Sequence, residues 1–400
     1  MRVRLWRVWV VGLLALMLAL ALPGCSGSPT SQWQSVGPGD AQISALAADP
    51  HQRGLLFAGG NNGSTFLARG DRSGQFVPSA KSPGGSGPVG IIFPNPYVRG
   101  RVYAGTTGGF FSSSDYGEHY APQNHGLPST ATITAITTGP DATTLFVGVA
   151  EKGLYTSLDG GASWKAVVPA PASATNVLLP ASGTIQVLLW EDASKSLYAA
   201  VSDTGGGVYV SHDRGVTWSA STDGLPAKTN VYALVEMPSG GLAASRPMLY
   251  AGTSAGVFAR PVAAGSAKWQ SAGTGLPSGS VYSLATYSET PGLLYAGTDQ
   301  AVYSSTDGGQ HWQQVADSLS HQVPAIAVVP GQANPTVTYA VTGQILRYPP
   351  GNAGGGGFLG TLLLVVIVGA SAWYVLAHWG FVPGIREVRR WLASRINTDK

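Results

Sequence analysis

One eight-residue turn recurs along this chain, and its repetition constrains the fold more than any other feature. The pattern Ser-x-Asp-x-Gly-x-x-aromatic occurs at 113–120, 157–164, 211–218 and 305–312. Ser and Asp side chains can hydrogen-bond to backbone groups a few residues further on, and Gly adopts a positive φ without a Cβ clash. Four copies of one turn indicate a supersecondary unit that is repeated along the chain.

Each copy supplies the same kinds of residue, and we interpret them as structural turn residues rather than as catalytic groups or metal ligands. Their spacing would place each Asp on a different repeat, so the carboxylates could not converge on one site. The residues so assigned are Ser113, Asp115, Gly117, Ser157, Asp159, Gly161, Trp164, Ser211, Asp213, Gly215, Trp218, Ser305, Asp307, Gly309 and Trp312.

A second marker, an apolar strand of the type Leu-Tyr-Ala-Gly-Thr, gives the number of repeats. Its aromatic residue recurs every 43 to 52 residues, which suits a unit of four short strands. The seven positions are Phe57, Tyr103, Phe146, Tyr198, Tyr250, Tyr295 and Tyr339. A third marker, Gly-Leu-Pro at 126–128, 224–226 and 275–277, precedes further apolar strands. The sequence therefore predicts an all-β, seven-bladed β-propeller over residues 32–348, with the turn absent or degenerate in blades one and five.

The turn resembles the Asp-box of the bacterial neuraminidase repeat propellers. It is similar to the repeats of sortilin-type propellers and of photosystem II assembly and stability factors, over roughly residues 32–348. In those families the box joins the third and fourth strands of a blade. Assembly factors of this type bind membrane proteins during assembly. The resemblance therefore implies a propeller with a binding or assembly role, and it carries over no binding residue.

The last repeat lacks a fourth strand after 344–348, because the chain then enters a Gly-rich segment. Residues 33–36 read Trp-Gln-Ser-Val, like the fourth strands that begin at Trp269 and Trp312. We therefore expect Trp33 to start a strand that completes blade seven and closes the ring. The alternative is an N-terminal linker that happens to contain a Trp.

The N-terminus has the composition of a bacterial secretion signal. Arg2, Arg4 and Arg7 precede an apolar run from Val8 to Leu22 that is short for a membrane span, and the run is followed by Pro23, Gly24 and Cys25, the only cysteine. We expect residues 1–25 to be a signal peptide with a lipobox-like end, Cys25 to be lipidated, and residues 26–31 to be a linker. An uncleaved signal anchor and an uninvolved thiol are the alternatives.

The C-terminus reads as a second membrane element. After a Pro/Gly-rich linker at 349–357, residues 358–381 contain no Asp, Glu, Lys or Arg and are long enough to span a bilayer. Residues 382–400 form a basic amphipathic tail that the positive-inside rule places in the cytoplasm. The tail could instead bind a partner helix. The predicted location is the cell membrane, with the propeller outside the cytoplasm.

Charge and composition restrict the partners. The stretch between the two basic ends carries 15 basic and 18 acidic residues, so the propeller has no nucleic-acid footprint. No cofactor or metal motif is present, and the oligomeric state is left open. Because both tethers should leave from the face that carries the box turns, we expect the opposite face to bind a protein or glycan partner. Its charged candidates are Glu151, Lys152, Asp203 and Asp299.

Two classes of function compete. The first is a non-catalytic binding or assembly scaffold, and the second is a glycoside hydrolase related to sialidases or xyloglucanases. The arginine arrangement that sialidases use is missing. Glycosidases need paired carboxylates, and here acidic residues are sparse and none stands out beside an aromatic platform. From the sequence we therefore predict that the chain is not an enzyme.

Overall fold

The computed structural model describes residues 33–69, 75–85, 87–168, 177, 179, 183–202, 206–238, 247–262, 267–287, 290–329 and 337–348. These residues form seven four-stranded antiparallel sheets, with no helix among them. The prediction of an all-β, seven-bladed propeller is confirmed. The chain divides into two compact units, Met1–Gly351 and Asn352–Lys400, and every described residue belongs to the first.

Each blade consists of four strands that run from the channel of the propeller to its outer rim. The first strands are β2 (Ile43–Ala48), β6 (Val89–Pro94), β10 (Ile133–Thr138), β14 (Thr184–Glu191), β18 (Val231–Met237), β22 (Val281–Thr286) and β26 (Ala325–Val329). The second strands are β3 (Leu55–Gly60), β7 (Val102–Thr106), β11 (Leu145–Val149), β15 (Ser196–Ser202), β19 (Met248–Thr253), β23 (Leu294–Thr298) and β27 (Val337–Val341). The third strands are β4 (Thr65–Arg69), β8 (Gly109–Ser113), β12 (Gly153–Ser157), β16 (Gly207–Ser211), β20 (Gly256–Pro261), β24 (Val302–Ser305) and β28 (Ile345–Tyr348). The fourth strands have two residues each and are β5 (Val77–Pro78), β9 (Ala121–Pro122), β13 (Lys165–Ala166), β17 (Ser219–Ala220), β21 (Gln270–Ser271), β25 (Gln313–Gln314) and, in blade seven, β1 (Gln34–Ser35).

The core lies between the blades. Seven apolar clusters occur among the described residues, and each is shared by two neighbouring blades. The cluster between blades seven and one contains Tyr339 and Ile345 from one blade and Leu56 and Phe66 from the other. Burial of such aromatic and aliphatic side chains is the main stabilising term. Packing therefore continues around the whole ring, although no disulfide is available.

Blade seven takes its outermost strand from the start of the described chain. Gln34 pairs with Arg347, and Ser35 pairs with Leu346. The Trp33 ring lies 5.7 Å from the Tyr348 ring, and the Trp33 indole N–H donates to the Asp317 carbonyl at 3.2 Å. The indoles of Trp164, Trp269 and Trp312 make the same kind of bond to the preceding blade's exit loop, and the bond from Trp312 to Ala272 is 2.7 Å long.

The Gly-Leu-Pro loops hold neighbouring blades together at the rim. The Trp269 N–H donates to the Asp223 carbonyl at 2.8 Å, and the next residue, Gly224, has a φ of +94°. A Cβ on Gly224 would lie 2.2 Å from the Trp269 carbonyl oxygen. Gly126 and Gly275 show the same close approach to the next blade. Glycine is required here by both the backbone angle and the space.

Blade five lacks the box, and a different contact holds its Trp. The Arg260 guanidinium lies 5.7 Å from the centre of the Trp269 ring and hydrogen-bonds to the Ser221 hydroxyl. The Trp269 indole donates to the Ser221 carbonyl at 2.6 Å. A cation–π contact and a polar anchor therefore take the place of the turn.

The two faces of the propeller differ in the connections that form them. We call the "box face" the one that carries the box turns and the connections from first to second strands. These lie together, since Gly160 in a box turn donates to the Thr143 carbonyl at 2.8 Å. The "loop face" carries the connections from second to third strands and those between blades. Because β28 ends and β1 begins where a box turn would lie, both ends of the described propeller leave from the box face.

Several sequence-based predictions fall outside the described residues. They concern Cys25, the signal peptide at 1–25, the linkers at 26–31 and 349–357, the apolar segment at 358–381, the tail at 382–400 and the candidate residue Asp203. In the portion of the chain that the structure describes, no helix reaches the length and apolarity that a membrane crossing needs.

Candidate ligand-binding face

The four box turns use their polar groups internally. In the turn that begins at Ser157, the hydroxyl donates to Asp159 at 2.7 Å and accepts the Gly161 N–H at 2.9 Å. Asp159 then accepts the Ser163 N–H at 2.9 Å and its hydroxyl at 2.5 Å. The other three turns repeat these bonds on blades two, four and six. Each carboxylate is thus engaged within its own turn.

The bonds within the turns also shift the pKa values of the carboxyl groups. Hydrogen bonds from Ser163 and Ser157 lower the pKa of Asp159 to about 2. Around Asp307, burial acts to raise the pKa, but bonds from His311 and Ser305 outweigh it and lower the pKa to about 2. The turns are therefore assembled around ionised carboxylates at neutral pH.

The four charged candidates on the loop face have different surroundings. Glu151 and Lys152 are exposed in the turn between β11 and β12, where Glu151 has a φ of +58°. Asp299 lies in the connection between β23 and β24 and accepts the Tyr282 hydroxyl at 2.8 Å. Among the three candidates that the structure describes, Asp299 is the one with a hydrogen bond to an aromatic side chain.

A ring of bulged residues surrounds the loop-face mouth of the channel. In blades one to six the pairing of the first strand shifts after its first residue or, in β14, after Ile185. The residue before the shift is buried in every blade, and the bulged residue is at least partly exposed. The six bulged residues are Ser44, Gly90, Thr134, Gln186, Tyr232 and Tyr282. Bulges re-aim side chains and are frequent beside binding sites.

Two of these bulged residues form an aromatic pair at the mouth. The rings of Tyr232 in blade five and Tyr282 in blade six lie 5.1 Å apart at an angle of 37°. The hydrogen bond to Asp299 fixes the Tyr282 phenol and raises its pKa. Both rings are partly exposed. Flat apolar rings beside a carboxylate can bind a ligand that offers both C–H surfaces and hydroxyl groups.

Sequence analysis missed both tyrosines. Tyr232 and Tyr282 each follow a Val at the start of the strand that comes after a Gly-Leu-Pro loop. The repeated Val-Tyr at equivalent positions was the available signal. The carboxylate beside these rings also corrects the expectation that no acidic residue stands beside an aromatic platform.

The opposite mouth of the channel carries an acidic group of different character. Tyr97 of blade two donates to Asp192 of blade four at 3.0 Å. Asp192 also accepts the Trp190 indole N–H at 2.9 Å and the Lys195 ammonium at 3.0 Å. These hydrogen bonds outweigh the effect of burial and lower the pKa of Asp192.

The pKa of Glu236, near the end of β18, is shifted upward, whereas that of Asp192 is lowered. Burial, and then the charges of Glu191 and Asp192, raise its pKa to about 7. Two carboxyl groups whose surroundings drive their pKa values apart are a feature of acid–base sites. In the described part of the chain, no group of three or more His, Cys, Asp and Glu could hold a metal ion.

Comparisons with known proteins agree with this architecture. The BNR/Asp-box repeat family model matches residues 209–220, which include the box turn of blade four. A xyloglucanase of Hypocrea jecorina (strain QM6a) is 30% identical over 145 residues, which is 35% of this chain and 17% of that protein. The chain therefore spans a small part of the curated relative that it matches.

Two solved structures share the fold. The GH74 xyloglucanase from Xanthomonas campestris aligns with a TM-score of 0.59 at 20% identity, over 79% of this chain and 53% of that one. YCF48, solved with a bound D1 peptide, aligns with a TM-score of 0.54 at 17% identity, over 80% of this chain and 97% of that one. At these identities the likeness concerns the fold.

The xyloglucanase match overturns one prediction. From the sequence we predicted that the chain is not an enzyme, and this exclusion was wrong, because a xyloglucanase is 30% identical to this chain over 145 residues. The exclusion rested on missing sequence patterns. Carboxyl groups of different blades can influence one another, as Glu191 and Asp192 raise the pKa of Glu236, and such an arrangement leaves no sequence pattern. The chain is a seven-bladed β-propeller with BNR/Asp-box repeats, and it shares its fold with the GH74 xyloglucanases and YCF48.

Proposed function

We propose that this protein binds a neutral glycan at the loop-face mouth of its channel. The observation that carries the proposal is the pair of partly exposed rings, Tyr232 and Tyr282, with Asp299 bonded to one of them. Sugar rings present C–H groups on their faces and hydroxyl groups at their edges. An aromatic ring covers the first, and a carboxylate accepts hydrogen bonds from the second.

The xyloglucanase relative supports a β-glucan as the class of glycan. That protein carries the name of an enzyme acting on xyloglucan, and this chain resembles part of it. The lack of a basic residue among the six bulged positions also favours a neutral ligand over an anionic one.

Titration calorimetry with xyloglucan and with cello-oligosaccharides tests the proposal. Tyr232→Ala and Tyr282→Ala should each weaken binding about tenfold, equivalent to about 1.4 kcal/mol. Tyr282→Phe is the matched control, since it keeps the ring and loses the bond to Asp299, and its loss should be smaller. Equal affinity of all three variants and the native protein would refute the site. Binding of an extended polypeptide at the same tyrosines, with no glucan bound, would refute the ligand class.

Hydrolysis of a glycan at the box-face mouth is a second candidate function. Glu236, with a pKa of about 7, is suited to donate a proton, and Asp192, with its lowered pKa, is suited to act as the ionised partner. Release of reducing ends from xyloglucan should then be lost in both Glu236→Gln and Asp192→Asn. The tyrosine variants separate the two functions, because they lie at the other end of the channel. Turnover that survives both carboxyl substitutions would exclude this pair.

We further propose that the propeller is held at the outer side of the cytoplasmic membrane. The support is the sequence: a lipobox-like end at Cys25, an apolar segment at 358–381 and a basic tail at 382–400. Cys25→Ala should abolish labelling by a fatty-acid analogue, while the apolar segment should keep the protein in the membrane fraction. Full release of this variant into the soluble fraction would contradict a C-terminal anchor.

The pairing of β1 with β28 has a role in this proposal. We propose that it closes the ring with a strand from the opposite end of the chain, so that blade seven has no open edge. Both ends of the described propeller leave from the box face, on the side opposite Tyr232 and Tyr282. A ligand of polymer length could therefore reach these rings.

A further inference from the structure

We infer that the groove between blades seven and one, on the loop face, is a second subsite for the same neutral glycan. The inference rests on the proposed function, because it extends the binding site from the tyrosine pair across blade seven. The groove has a volume of about 590 Å³. It is lined by Gln42, just before β2 of blade one, and in blade seven by the segments that precede β26 and β28 and by Leu346 of β28.

Pro324 explains why the groove exists at this place in the ring. It occupies the position after Val323 that a bulged residue occupies after the corresponding first residue in blades one to six. Proline has no N–H to donate to a strand ladder. Pairing of the first strand in blade seven therefore begins only at Ala325, opposite Val341. The Gly343 carbonyl accepts the Ile43 N–H of blade one at 2.7 Å, and the recess lined by Gln42, Pro324 and Gln344 lies beside this contact.

The lining of the groove fits an uncharged, hydroxyl-rich ligand. Its polar side chains include the amides of Gln42, Gln322 and Gln344 and the hydroxyl of Ser320, which is bonded to His321 at 2.7 Å. No Asp, Glu, Lys or Arg is among the described residues that line it. Each amide can both donate and accept, which matches a hydroxyl group and gives no advantage to a phosphate or carboxylate. The Pro324 ring adds an apolar surface.

The groove continues directly from the tyrosine pair. Ser283, next to Tyr282, donates to the Val323 carbonyl at 2.8 Å. Thr298, next to Asp299, accepts the Val323 N–H at 3.0 Å. Val323 is buried and is followed at once by Pro324, which is exposed at the edge of the groove. A chain of sugars that covers Tyr282 can therefore extend over Pro324 toward Gln42.

Dependence on ligand length tests the inference. In the full-length protein, Gln42→Ala combined with Gln322→Ala removes one amide from each side of the groove. We expect this variant to bind cellohexaose about tenfold more weakly than the native protein, through the lost hydrogen bonds, and to bind cellobiose unchanged. Tyr282→Ala should weaken binding of both ligands. Gln270→Ala combined with Gln313→Ala, on exposed outermost strands, is the matched control and should change neither affinity.

The outcomes separate the two proposals. If the groove variant binds cellohexaose as tightly as the native protein does, the second subsite is refuted while the tyrosine site stands. A groove variant that loses affinity equally for cellobiose and cellohexaose refutes the length argument and thus the subsite. If neither ligand nor xyloglucan binds the native protein, the proposed function and the subsite are both overturned.

Discussion

Replacing Gly224 by Ala tests whether the Gly-Leu-Pro loops hold the blades together. A Cβ at this position would lie 2.2 Å from the carbonyl oxygen of Trp269 and 2.8 Å from its amide nitrogen. Both atoms belong to the backbone, so no side-chain rotation can relieve the overlap. The loop must move away from the strand, and the bond from the Trp269 N–H to the Asp223 carbonyl must lengthen or break.

The expected loss has two parts. A φ of +94° strains an alanine by about 1–3 kcal/mol. Breaking the bond to a backbone N–H of a buried residue adds about 1–3 kcal/mol. Gly256→Ala is the matched control, because its φ is +103° but no atom lies within 4 Å of the added Cβ. The control should therefore show only the first part, and the difference between the two variants should be about 1–3 kcal/mol.

Thermal unfolding of the two variants measures this difference. At about 2 °C per kcal/mol for a domain of this size, Gly224→Ala should unfold about 2–6 °C below Gly256→Ala. Gly126→Ala and Gly275→Ala should behave like Gly224→Ala, since both Cβ positions also overlap the carbonyl of a Trp. Equal midpoints for Gly224→Ala and Gly256→Ala would show that the close approach does not contribute, and the argument from packing would fail.

Three other predictions concern closure and pH. Trp33→Ala should lower the free energy of unfolding, measured by urea titration, by about 1–3 kcal/mol, because it removes a half-buried indole that is hydrogen-bonded to Asp317. A variant that unfolds at the same urea concentration as the native protein would argue against closure of the ring by β1. Because the pKa of Asp159 is lower in the folded protein, its ionised carboxylate stabilises the fold above about pH 4, and this stability is lost as pH falls through about 2. The free energy of unfolding of Asp159→Asn should therefore fall less steeply than that of the native protein between about pH 4 and about pH 2. The raised pKa of Glu236 has the opposite effect, because the folded protein holds the Glu236 proton more tightly than the unfolded chain and loses stability as pH rises from about 4.5 to about 7. Glu236→Gln should therefore raise the thermal unfolding midpoint more at about pH 8 than at about pH 5. Equal shifts at both pH values would contradict the raised pKa.

The sequence by itself determined the repeated unit, because the interactions that define it are local. A box turn such as Ser157–Trp164 is built from bonds between residues two to four positions apart, and its pattern is therefore visible in the sequence. The aromatic marker of the second strands likewise repeats once per blade. These two signals were sufficient for the all-β class and for the count of seven blades.

The tertiary structure decided which residues meet around the channel. Tyr232 and Tyr282 belong to different blades, and their contact depends on the order of the blades around the axis and on the bulges that turn both rings toward the mouth. The charges of Glu191 and Asp192 in blade four act on Glu236 in blade five for the same reason. The groove beside Pro324 arises from a pairing that one proline prevents. Such contacts join positions far apart in the chain, and spacing in the sequence does not record them.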